Sequence, residues 1–214
     1  MPHTVAVVVG LVSLAVVAAD AGAGEPTRVI RIYDASHGDR ATLSAAILTS
    51  AALLNDAGIA ADWLDCTDGS ATPGCDAIRG ARDLVVRIAP RPVVPAHPTS
   101  DSVSTRDTVT NLDLQLGFAT FDAVTRRGVM ATIFHDHVLT VAQRVDVDDR
   151  MLLGRAIAHE VGHLLLSGGG HGASGLMRAV WTDEELTQNR RDDWVFASAE
   201  RERLHAAAST RAVR

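Results

Sequence analysis

A chain of 214 residues with 47% apolar and 21% charged side chains has the length and composition of one folded domain, not of a disordered segment. Its 26 acidic groups outnumber 20 basic ones, for a formal charge of −6. With 4% aromatics and no basic run, nucleic acid is excluded as a partner. Two cysteines are too few for a disulfide-dense scaffold.

In chain order, the first segment reads as an address. Residues 5–19 carry no charge, and the small residues ADAGAG follow before Glu25. Such a run with A-x-A options ending at Ala21 or Ala23 matches a secretory signal peptide over residues 1–23, although the segment before it carries only the free amine and His3. A buried strand or helix and an uncleaved anchor are the alternatives. The run is shorter than the ~20 residues of a spanning helix, so no stable membrane association is expected after cleavage. The expected destination is extracellular or periplasmic, a compartment in which Cys66 and Cys75 can pair. They bracket the turn-rich loop CTDGSATPGC, and their spacing is not that of a zinc finger, so a structural staple is expected.

Residues 27–34 (TRVIRIYD) alternate as a strand does, and 43–54 carry apolar residues at helical spacing, ended by Asn55–Gly58. Two more strands are expected at 61–64 and Leu84–Ala89, an α/β opening. Residues 90–107, with four prolines and a Ser/Thr run, read as a long loop within one domain. Strand-like runs follow at 114–122 (LQLGFATFD) and 129–135 (VMATIFH).

A helix is expected to begin at Asp148–Asp149 and to stop at Ser167–Gly170, with Leu153, Ile157, Val161 and Leu164 facing the core. Within it stands His159-Glu160-Val161-Gly162-His163, an H-E-x-x-H pattern. Residues four apart share a helix face, so both imidazoles reach one Zn²⁺ at about 2.0–2.1 Å. Glu160, one step round, is placed to meet a water and act as general base. A catalytic zinc needs a third protein ligand and an open position. His171, just past the glycines, is the favoured candidate. Glu184, Glu185 and His205 are the others, and the T-x-x-E at Thr182–Glu185 already accounts for Glu185 as a capping box.

With Ala173-Ser174-Gly175-Leu176-Met177 following, the stretch from Arg150 to Trp181 resembles the metzincin branch of zinc metallopeptidases. That family's pattern is H-E-x-x-H-x-x-G-x-x-H and then a Met-turn. Here Leu166 occupies the glycine position and the third histidine comes two residues later, which implies a helix about half a turn longer. The resemblance implies His159, His163 and His171 as zinc ligands, Glu160 as base and Met177 as the turn methionine. It implies an α/β fold: a twisted mixed sheet of about five strands, a backing helix, an active-site helix and a short C-terminal part ending in a long helix, read over 183–204. Residues 24–214 would form one domain, 24–166 its upper lobe and 167–214 its lower. A peptide or protein substrate would lie along an edge strand, for which 114–122 is the candidate, with Gly117 admitting the second backbone. The alternatives are a zinc-holding peptide-binding module without turnover and a metal-free structural domain.

His135-Asp136-His137, read as the end of a strand, would put both imidazoles on one face for a second metal or the substrate cleft. His37 and His97 read as surface residues. Tyr33 is the only tyrosine, so none follows the Met-turn.

Overall fold

The structure is a computed structural model that describes residues 28–68, 72–77, 80, 83–92, 115–168 and 170–210. The expected signal segment, His97, Leu114 and the 90–107 loop beyond residue 92 lie outside the described residues.

Alternating apolar side chains build the sheet. Strands β1 (Arg28–Asp34), β2 (Ala61–Asp65), β3 (Leu84–Ala89), β4 (Gly117–Phe121) and β5 (Gly128–Phe134) lie in the order β2-β1-β3-β5-β4. All neighbours are parallel except β4, which runs antiparallel to β5 and forms one edge. This is the mixed five-stranded α/β sheet expected, and the 114–122 run does supply an edge strand. The register aligns Ile30 with Leu84, Ile32 with Val86, Val86 with Ala131 and Ile88 with Ile133. These residues therefore share one face, and all are buried in the core. The opposite face carries Arg31, whose guanidinium is buried against Asp83 at 2.5 Å. A disulfide joins Cys66 and Cys75 at the end of β2.

Helix α1 (Arg40–Asp56) starts at Asp39, whose carboxylate accepts from the Thr42 amide. Helix α3 (Asp149–Leu165) is capped likewise by Asp148, which accepts from the amides of Arg150 and Met151. The expected stripe of Leu153, Ile157, Val161 and Leu164 is buried. At Gly154 the two helices touch. A methyl there would stand 2.6 Å from Thr49 Cβ and 2.7 Å from the Ala46 carbonyl oxygen. The Ser50 hydroxyl lies 2.8 Å from the Gly154 carbonyl across this contact.

Two expectations need correction. Residues 135–137 are not the end of a strand: β5 stops at Phe134 and helix α2 (His135–Val145) begins at once. Its buried Val138, Val141 and Ala142 recur at helical spacing and pack it against α3. Nor do residues 183–204 form one helix. Helix α4 (Asp183–Gln188) ends at Asn189 in the left-handed conformation (φ 50°), a 3₁₀ turn (Arg191–Trp194) follows, and α5 (Ser198–Thr210) is a separate final helix of 13 residues. The break lets Trp194 and Phe196 enter the core and lets Val195 bond the Leu176 amide at 2.9 Å.

Candidate metal centre

Residues four apart on α3 bring His159 and His163 together, with Nε2 atoms 3.1 Å apart. The helix ends two residues later. Ser167 (φ 57°) and Gly168 (φ 76°) turn the chain through the left-handed region, the Gly168 amide donating to the His163 carbonyl at 3.1 Å. His171 returns over the helix end with its Nε2 3.3 Å from that of His163. Ligand nitrogens of the three histidines all lie within 4.8 Å of one another.

These separations can be tested against an ion. Four donors at 2.0–2.1 Å in a tetrahedron stand about 3.3–3.4 Å apart, close to the spacing of the two pairs. The donors also have the right electronic state. His159 Nδ1–H donates to the Leu176 carbonyl at 2.8 Å, since a carbonyl only accepts, and this leaves Nε2 with its lone pair facing the other rings. Burial, and then the neighbouring imidazoles, hold the His159 pKa down to about 4 against the pull of that carbonyl, so the ring is neutral at pH 7. The donor set fits a divalent ion such as zinc. His159 is buried, His163 half-buried and His171 exposed, so the cluster opens to solvent on one side.

Glu160 lies beside the cluster in a cleft of about 280 Å³ whose walls include Gln115, Gly117, Arg144 and Trp181. It is 7% exposed, and burial pushes its carboxyl up to about 8. The Cβ side of Gly117 is filled by the protein's own atoms: a methyl there would meet the Thr132 carbonyl oxygen at 2.6 Å and Glu160 Cγ at 3.0 Å.

Below the cluster the 175–177 turn is strapped on two sides. Gly175 takes φ 74°, the Leu176 amide donates to Val195, and the Gly172 amide donates to the Met177 carbonyl at 2.8 Å. Met177 is fully buried, and a methyl at Gly162 would sit 2.6 Å from its sulfur, so it lies against the helix between the two histidines.

The other candidates stand elsewhere. Glu185 closes the capping box with Thr182 and pairs with Arg178, while Glu184 accepts from Gln188 at 2.7 Å. The His205 ring packs over Gly58. His137 donates to the Gln115 carbonyl at 2.8 Å, and the His135 ring lies against Gly38, so neither joins the cluster. Among the described residues no carboxylate or cysteine completes the three-histidine group.

Sequence reasoning missed Trp181. Its ring meets that of His159 edge-on at 5.5 Å, and its indole N–H donates to the same Leu176 carbonyl at 3.2 Å. Only its place four residues after Met177 hinted at this.

The fold is similar to that of a solved structure, archaemetzincin from Methanopyrus kandleri, with a TM-score of 0.51 and 15% sequence identity over 88% of this chain and 99% of that one. At this identity the likeness is one of fold. No protein-family model matches the chain, and no curated protein matches it.

Proposed function

We propose that this chain is a secreted zinc-dependent metallopeptidase in which His159, His163 and His171 hold the ion and Glu160 is the general base. The observation that carries the reading is that His163 Nε2 stands 3.1 and 3.3 Å from the Nε2 atoms of His159 and His171, beside a cleft that contains the buried Glu160 carboxyl. The name of the archaemetzincin structure, whose fold this chain shares, points to the same chemistry. When bound, zinc would supply a Lewis acid that polarises a carbonyl and acidifies a water.

The chain's own groups do the rest. Burial alone favours the protonated form of Glu160, and a cation held by the neighbouring histidines would favour the carboxylate. In that form Glu160 holds the attacking water, takes its proton on a carboxylate oxygen, and delivers that proton to the nitrogen of the departing amine. Helix α3 sets the distance between Glu160 and the histidines, so the base needs no loop to place it. Among the described residues β4 is an edge strand, along which an extended peptide would add as a further strand. Met177 forms the apolar floor under the histidines. Export is supported by the sequence of residues 1–23 and by the Cys66–Cys75 bond. Among the described residues no helix is long and apolar enough to cross a membrane.

Digestion of a peptide pool tests the reading, using wild type with and without a zinc chelator and the Glu160→Ala variant. Wild type should cleave, chelation should stop it, and Glu160→Ala should bind zinc without turnover, a loss of at least about 10²-fold. Turnover retained by Glu160→Ala removes that residue from the base role. A wild type that binds zinc and peptides but cleaves none would make the chain a binding module.

A further inference from the structure

We propose that Trp181 is a positioning residue for the metal centre: it pins the carbonyl that orients His159 and packs edge-on against that imidazole. The proposal rests on the reading of the three histidines as metal ligands.

The Leu176 carbonyl oxygen has two lone pairs, and both are used. His159 Nδ1–H occupies one at 2.8 Å and Trp181 Nε1–H the other at 3.2 Å. The Leu176 amide is itself tied to Val195, so the residue is held from both ends. Trp181 is braced in turn. Its ring meets Trp194 edge-on at 5.2 Å, and the Arg155 guanidinium lies 3.7 Å over the Trp194 ring. Arg155 stands four residues before His159, on the same face of α3. The stack from Arg155 through Trp194 and Trp181 thus returns to His159 on the helix it left, a closed frame around one ligand. Arg155 is further held by the Asn189 side chain. A group that fixes a ligating imidazole through its second nitrogen tunes metal affinity without touching the metal.

The test compares wild type, Trp181→Phe, Trp181→Leu and Trp63→Phe as full-length, metal-free proteins. Trp63 lies on β2, at the sheet edge opposite β4, and serves as the control. Zinc affinity is measured by competition with a chromophoric chelator, and the His159 tautomer by ¹⁵N NMR. Trp181→Phe keeps a ring but removes the donor. It should weaken zinc binding about tenfold and add the Nε2–H tautomer of His159, with Trp181→Leu weaker still and Trp63→Phe unchanged. Affinity of Trp181→Phe within about twofold of wild type overturns the proposal. So does a weakened affinity that accompanies loss of fold while His159 keeps its Nδ1–H tautomer. Wild type that takes up no zinc defeats the metal-centre reading itself, whereas zinc-binding wild type matched by Trp181→Phe defeats this inference alone.

Discussion

Replacing Gly154 by alanine sets two opposite effects against each other. In a helix interior alanine is favoured over glycine by about 1 kcal/mol. The added methyl, however, would stand 2.6 Å from Thr49 Cβ and 2.7 Å from the Ala46 carbonyl oxygen. Optimal heavy-atom contacts are about 3.5–4.0 Å, so α1 and α3 would have to part by about 1 Å. Both obstructing atoms belong to or adjoin the α1 backbone, and neither can swing aside. Overpacking of this kind costs about 1–3 kcal/mol. The parting also stretches the 2.8 Å contact from Ser50 to the Gly154 carbonyl beyond hydrogen-bond range. That loss is about 1 kcal/mol, close to the gain in helix propensity. The net effect is a destabilisation of about 1–3 kcal/mol, or about 2–12 °C in Tm for a chain of this size. Thermal unfolding followed by circular dichroism in the presence of a chelator measures it without the metal's contribution. A variant as stable as wild type, or more so, would refute the claim that this contact limits how closely the two helices pack.

The Asp148→Ala variant should lose about 1 kcal/mol at neutral pH through its missing cap. The Arg150 side chain, then the Arg150 and Met151 amides, hold the Asp148 carboxyl below its ordinary 3.8. Its stabilisation is therefore full above that value and disappears as pH falls through the lowered one, so the difference between variant and wild type should shrink in acid; a constant difference across that range contradicts the capping account. Changing Cys66 and Cys75 together to serine opens a short loop and should cost about 2–3 kcal/mol by chain entropy. Zinc affinity should stay the same, because the bond lies at the end of β2, across the sheet from β4, and a selective loss of zinc binding would contradict that separation. Gly117→Ala should push on Glu160 and lower kcat about 10²-fold with zinc retained, as steady-state kinetics and metal analysis would show; unchanged kcat would mean that Glu160 does not need this space.

Much of this architecture was legible because local signals agreed. Alternation marked β1, short apolar runs marked β3 and β5, and the aspartate caps with an apolar stripe marked α3. The two histidines four apart announced their own proximity once that helix was recognised. Helix α2 escaped notice because β5 runs into it without a breaker: the strand ends at Phe134 and the helix starts at His135. Val138, Val141, Ala142 and Val145 held the helical period that would have exposed it. The division of residues 183–204 is a tertiary effect. Asn189 leaves the helix, and Val195 then bonds the 175–177 turn, which helical periodicity along one segment does not report. Trp181 and the Leu176 carbonyl were hidden for the same reason, since a backbone oxygen has no sequence signature.

Metal content of the purified full-length chain tests the central claim most directly, when wild type is compared with His171→Ala in equilibrium dialysis against zinc. Three converging imidazoles predict one zinc ion per wild-type chain. They also predict a loss of affinity in His171→Ala beyond the about 10–100-fold that outer partners cost. No stoichiometric zinc in wild type, or equal affinity in the two proteins, would contradict the three-histidine centre.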